Sequence, residues 1–228
     1  VSAGIAFRAA LALLAAPLAL SPAHAQDTAP VAPATTAEAA KAPVPAEYVY
    51  VALTLPQGVV TLALDRTHAP LTTANFLKYV DSKKLDGAVF YRAMHLDHDP
   101  AQGLLQGRVL NAASLLPPVA HEPTSKTGIT HVAGTVSMAR FAPGTARADF
   151  MILISDMHAL DAEPGNDGKD PGAGFAAFGH VAAGMDVVKA IWNLPRSTTK
   201  GDGVMKGQIL QTEVKILTAR RTKAPAGA

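Results

Sequence analysis

Two apolar runs sit almost back to back in this chain. They are Tyr48–Leu55 (YVYVALTL) and Val59–Leu64 (VVTLAL), parted only by Pro56-Gln57-Gly58. Both runs are rich in β-branched and aromatic residues, and the tripeptide between them is turn chemistry. The pair reads as an antiparallel hairpin. Parallel strands need a long crossover, so a domain that opens on a tight hairpin starts as an antiparallel sheet. Further short strands are expected at Thr135–Ala139, Asp149–Ile154 and Phe178–Val181, with one starting at Ala88. Gln208–Ala219 alternates and reads as a closing strand. Two segments break this pattern. After Ala69-Pro70, the residues Phe76, Leu77 and Val80 recur at helical spacing, and Pro70 suits a helix's first turn. Gly184–Leu194 (GMDVVKAIWNL) places Val187, Val188, Ile191 and Trp192 on one stripe, which predicts a second helix. Short strands, glycine-rich turns and two helices imply a barrel or sandwich rather than a βαβ fold.

The region before the hairpin reads differently. Residues 1–25 carry Arg8 as their only charge, an apolar run from Ala9 to Leu20, and the small-residue site Ala23-His24-Ala25. This is the pattern of a signal peptide, with cleavage expected before Gln26. As a helix that run spans about 18 Å, well short of the ~30 Å hydrocarbon core of a bilayer. Residues 26–46 are dominated by Ala, Pro and Thr with no apolar periodicity, and read as a linker. The folded domain is expected over residues 47–221, with a disordered tail at 222–228. A periplasmic location follows from the leader.

Composition removes several function classes. There are no cysteines. Disulfides, thiolate metal sites, a cysteine nucleophile and a lipid-modified N-terminal cysteine are therefore excluded. The net charge of +2, from 20 basic and 18 acidic residues, gives no basic excess for a nucleic-acid partner. No Gly-rich phosphate loop precedes a helix, and no G-x-S-x-G is present.

Five segments, in order, carry a resemblance to the cyclophilin family of peptidyl-prolyl cis–trans isomerases over about residues 48–220. They are Ala69-Pro70-Leu71-Thr72-Thr73-Ala74-Asn75-Phe76, then Asp86-Gly87-Ala88-Val89-Phe90-Tyr91-Arg92, then Gln106-Gly107. The last two are Gly134-Thr135-Val136-Ser137-Met138-Ala139, and Phe178-Gly179-His180-Val181 followed by Gly184-Met185-Asp186-Val187-Val188. The resemblance implies a mainly β fold, a closed eight-stranded antiparallel barrel capped by two helices. It implies an isomerase that needs no cofactor and no metal. Its partners would be proline-containing peptides and unfolded exported proteins, with no nucleic acid, no membrane after leader removal, and a monomeric state.

The resemblance also implies a site. Arg92 matches the family's catalytic arginine, and Gln106 the glutamine that holds the substrate carbonyl region. Phe90, Leu104, Ala139, Arg140, Asp149, Met151, Leu160 and Phe175 fall at or beside groove positions. For Leu104, Met151 and Leu160 an ordinary core role is the alternative, and Phe150 is expected in the core. Several positions depart from the family pattern. Gly103 stands where an aromatic is usual, Arg140 for Asn, Asp149 for Gln and Ala159 for Trp. The Arg92–Gln106 interval is longer than usual, with His95–Pro100 (HLDHDP) reading as an exposed insertion. Asp149 is expected to pair with Arg92 or Arg140 and compete for the donor. Low or altered activity is therefore expected, and a binding-only protein on the same fold is the rival reading.

Two metal readings are weaker. His95 and His98 lack the i, i+4 spacing of a helical zinc motif. The acidic run Asp161–Asp170 does not fit an EF-hand, because Gly165 falls on a ligand position and Gly174 on that of the closing Glu.

Overall fold

The computed structural model describes residues 45–227. The expected leader, and the linker up to residue 44, lie outside the described residues. The hairpin forms as the residues dictate: β1 (Tyr48–Leu55) pairs antiparallel with β2 (Gly58–Asp65). Next come α1 (Pro70–Asp81), β3 (Val89–Leu96), β4 (Asp99–Arg108) and a single-turn helix α2 (Thr124–Thr127). They are followed by β5 (Thr135–Met138), β6 (Phe150–Leu153), β7 (Ala176–Ala183), α3 (Met185–Trp192), β8 (Ile209–Lys215) and β9 (Thr218–Thr222). The nine strands make one antiparallel sheet in the order β8-β3-β4-β6-β5-β7-β2-β1-β9.

The strand count differs from eight for a local reason. The expected closing strand is two strands, because the chain changes partner at Ile216 and Leu217. Ile216 N–H donates to Ala88 O at 2.8 Å, toward β3, and Leu217 N–H donates to Thr54 O at 2.8 Å, toward β1. One continuous run therefore leaves one edge of the sheet and joins the other, so the sheet curls on itself. Thr222 still pairs with Tyr50, one residue beyond the expected domain end.

Inside the curl the core is aliphatic, with a chain of four phenylalanine rings. Phe76 from α1 meets Phe150 and Phe178 at 5.4 Å each, and Phe90 meets Phe150 at 5.6 Å. Gly107 exists for this packing, since a Cβ there would lie 2.9 Å from the Phe150 ring. Ala69 supplies no cap to α1. Its free N–H groups are met instead by Glu122, which accepts from Leu71 N at 3.1 Å and Thr72 N at 2.7 Å. A carboxylate there also complements the positive end of the helix dipole. Two helices were expected at these places; α2 is the addition. Among the described residues no helix is long and apolar enough to cross a membrane.

The segment His95–Pro100 is exposed at Asp97, His98 and Pro100, but it is the end of a hairpin and not a loose loop. The extra residues lengthen β3 and β4, leaving Asp97 and His98 as the turn. His95 stacks on Trp192 of α3, with centroids 3.6 Å apart and planes 8° from parallel. Trp192 Nε1–H donates to Met94 O at 2.8 Å, and His95 Nδ1 lies 2.9 Å from Pro100 O. These contacts give His95 a packing role.

Candidate active site

Residues directly opposite one another in an antiparallel pair share a face. The register sets Arg92 opposite Gln106, Gln106 opposite Met151, and Met151 opposite Ser137. These four therefore form one row across β3, β4, β6 and β5. The next row is Met94, Leu104 and Leu153. Both rows lie on the outer face of the sheet, because the alternate residues Leu105, Phe150 and Ile152 fill the core.

Arg92 reaches this face through a β-bulge. Phe90 pairs with Gly107 and Arg92 with Gln106, so Tyr91 is the extra residue. Without it Phe90 and Arg92 would point the same way. With it Phe90 is fully buried in the core, against Phe150, and Arg92 faces out. This corrects the expectation that Phe90 lines the groove.

The guanidinium is held on two sides. Its Nη1 donates to Gln106 Oε1 at 2.9 Å, while Nε and Nη2 both donate to Gln208 Oε1, at 2.8 and 2.7 Å. An arginine has five N–H groups, so one hydrogen on each terminal nitrogen remains for a ligand. Both holders are neutral amides, and the positive charge is not cancelled. Burial lowers the Arg92 pKa, with Tyr91 opposing, yet a guanidinium stays protonated at any physiological pH. Nothing in the sequence pointed to Gln208. It lies 116 residues from Arg92 and arrives only through closure of the sheet by β8.

Beside Arg92 is a second apolar cluster, separate from the core. Leu104, Met151 and Leu153 form its floor, with Met94, Met157, Leu160 and Phe175 packed against them. The structure thus brings Leu104, Met151, Leu160 and Phe175 together, with Met94 and Met157 beside them. Ala139 lies just past β5, its N–H donating to Asp149 O at 2.9 Å. Arg140 is taken up by the wall. It binds both carboxylate oxygens of Asp170 at 2.9 and 3.0 Å, donates to Gly174 O at 2.8 Å, and covers the Phe175 ring at 5.1 Å.

Asp149 does not compete for either arginine, since no hydrogen bond or ion pair joins it to Arg92 or Arg140. Half-buried, its carboxyl is pushed upward by desolvation and drawn back by Arg108. Arg108 itself pairs with Glu213 at 2.8 Å and lies over Tyr91. Gly103 replaces an aromatic because the backbone leaves no room. Its φ is +154°, and a Cβ would sit 1.9 Å from Met94 O.

The curled antiparallel sheet thus carries on its outer face an arginine caged by two amides, beside an apolar cluster separate from the core. The family model for cyclophilin type peptidyl-prolyl cis-trans isomerase matches residues 49–220, and the chain belongs to that isomerase family. A peptidyl-prolyl cis-trans isomerase of Acinetobacter baylyi is 31% identical over 142 residues, covering 62% of this chain and 70% of the relative. The Streptomyces antibioticus isomerase cyp18 is 33% identical over 150 residues, covering 63% and 83%. A Cryptosporidium parvum cyclophilin has the same fold, with TM-score 0.60 at 16% identity over 78% of this chain and all of that one. That protein was also solved in the presence of the dipeptide Ala-Pro, at TM-score 0.58 and 17% identity, covering 76% of this chain and 99% of that one.

Proposed function

We propose that this chain is an exported prolyl isomerase that acts on proline-containing segments of unfolded proteins in the periplasm, with Arg92 as its catalytic donor. The observation that carries this is Arg92 itself, fixed by Gln106 and Gln208 with two N–H groups unused, next to the apolar cluster of Leu104, Met151, Leu160 and Phe175. The barrier to rotation about a prolyl bond is ~18–20 kcal/mol and comes from amide resonance. No bond is made or broken. Twisting the amide localises the lone pair on the prolyl nitrogen, which then becomes a better hydrogen-bond acceptor. A fixed cationic donor gains strength toward that state and not toward the planar ones. This is the differential binding that lowers a barrier. The Leu104, Met151, Leu160 and Phe175 side chains would hold the ring while the preceding carbonyl swings, and Gln106 would meet the carbonyl region. No cofactor is required by this chemistry. The leader pattern of residues 1–25 supports the exported location.

The test is NMR exchange spectroscopy on Ala-Pro and Phe-Pro peptides with residues 26–228 added, and Arg92→Ala as the paired control. Accelerated exchange that Arg92→Ala abolishes is the expected result. A folded protein that binds the peptides without accelerating them overturns the catalytic reading in favour of a binding protein. Cell fractionation and N-terminal sequencing test the location, with Gln26 expected as the mature N-terminus.

A further inference from the structure

Beneath the apolar pocket lies a buried chain of three polar groups that the isomerisation does not use. Ser137 Oγ is 2.9 Å from His131 Nε2, and His131 Nδ1 is 2.7 Å from Asp161 Oδ1. His131 and Ser137 are both completely buried. The order Ser–His–Asp is that of a hydrolytic triad, but no acyl substrate reaches a serine with 0% exposure. The chain must do something else.

Its proton arrangement follows from its ends. Asp161 is an acceptor, so His131 Nδ1 carries the hydrogen. Nε2 is then the acceptor, and the Ser137 hydroxyl donates to it. Asp161 Oδ1 also accepts from His131 N at 2.9 Å, and Oδ2 lies 2.8 Å from the Nδ1 of exposed His158. Burial keeps His131 neutral against the pull of Asp161, with His158 adding to the resistance. Those two are the ionisable groups that face it.

One end of the chain adjoins the floor of the apolar cluster and the other end adjoins its wall. Ser137 sits directly opposite Met151, on the floor and in the row of Gln106 and Arg92. Asp161 immediately follows Leu160, whose carbonyl accepts from Phe175 N at 2.9 Å. Leu160 and Phe175 come from the segment between β6 and β7, which no strand pairing holds; Met157 N–H donates to His131 O at 2.8 Å and Ala162 N–H to Thr124 Oγ1 at 2.7 Å, but neither bond reaches the Met151 floor. We propose that His131 is a positioning residue for the proline pocket, tying the wall of Leu160 and Phe175 to the Met151 floor through Asp161 and Ser137. This rests on the isomerase reading for its substrate, and predicts that the tether sets how firmly the ring is gripped. Arg92, on the far side of Gln106, keeps its own holders.

The test compares Ser137→Ala, His131→Ala, Asp161→Ala and Asp161→Asn with the parent. The readouts are peptide Kd by NMR titration, kcat and KM from exchange, and the thermal midpoint. Cutting the tether at any point should raise Kd and KM about five- to tenfold, the value of one buried hydrogen bond, with kcat within twofold. Asp161→Asn keeps an acceptor for Nδ1–H and should recover most of the affinity lost in Asp161→Ala. A fall in thermal midpoint with unchanged Kd would make the chain merely structural and overturn the proposal, as would a loss confined to kcat. Should His131→Ala fail to fold, the near-isosteric Ser137→Ala carries the same reading. In the parent, the 15N spectrum of His131 should show the neutral Nδ1–H tautomer at pH 7; the Nε2–H form would also refute it. If the parent binds peptides but does not turn them over, the isomerase reading fails while Kd still tests the tether.

Discussion

Replacing Gln208 by alanine removes one side of the cage around Arg92 and touches no substrate group. Gln208 Oε1 receives two N–H bonds from the guanidinium, at 2.7 and 2.8 Å, and Gln106 receives one at 2.9 Å. Hydrogen bonds to a charged group contribute roughly 1.5–3 kcal/mol each when buried. The two here share one acceptor atom, and the site is only half-buried, so water replaces part of the loss. A net cost of about 1–2 kcal/mol is expected, which is roughly 5–30-fold in kcat/KM. The loss should fall on kcat, because the apolar cluster beside Arg92 is left intact. The assay is peptide exchange by NMR, with near-UV circular dichroism to verify the fold. A double-mutant cycle makes the attribution specific: Gln208→Ala should add nothing to a chain that already carries Arg92→Ala. Full activity in a folded Gln208→Ala protein, or an equal loss in both backgrounds, would refute the claim that Gln208 works through Arg92.

Arg92→Lys should be nearly as inactive as Arg92→Ala in the same assay, because an ammonium cannot span Gln106 and Gln208 while offering a further planar donor. Gly103→Ala should destabilise the protein by at least ~2 kcal/mol in urea unfolding, since its Cβ collides with the Met94 carbonyl at a φ of +154°. Burial lowers the pKa of His131, His121 and His180 in the folded state. The unfolded chain then binds more protons just below the ordinary value of about 6.5. Stability should therefore be full above pH 6.5 and fall as the pH drops toward the folded values. His131→Gln should make urea midpoints less steep across pH 5–7, and an unchanged slope would count against a neutral buried imidazole. For Asp149 the folded pKa is raised, so its ionised form weakens the fold as pH rises through that value. Asp149→Asn should be more stable than the parent at pH 7 and no different at pH 3.

Much of this molecule was legible in the sequence where the signal was local. The β1–β2 hairpin, α1 and α3 follow from β-branched runs, turn residues and helical periodicity within a few residues. The grouping of Leu104, Met151, Leu160 and Phe175 comes from the family resemblance alone, since periodicity does not separate the outer apolar cluster from the core. What failed was non-local. The resemblance puts Phe90 in the groove, but the bulge at Tyr91 turns its side chain into the core while Arg92 faces out. Asp149 was given to an arginine by charge, but the sheet sets it near Arg108 instead. Gln208 and His131 left no mark in the sequence, because their roles exist only once distant strands have met.

The partner switch at Ile216 and Leu217 has a bearing on how such a chain comes to be folded. The sheet is joined to itself by the last structured segment, and Tyr50, near the start of the domain, pairs with Thr222, near its end. A polypeptide delivered N-terminus first, from a ribosome or through a pore, cannot finish its sheet until almost every residue has emerged. Until then β1 and β3 each present an unpaired edge, and Arg92 lacks Gln208. Closing so long a loop is slow compared with forming a hairpin. Strand closure and the second holder of Arg92 are thus supplied by the same late stretch of sequence, Gln208 to Thr222.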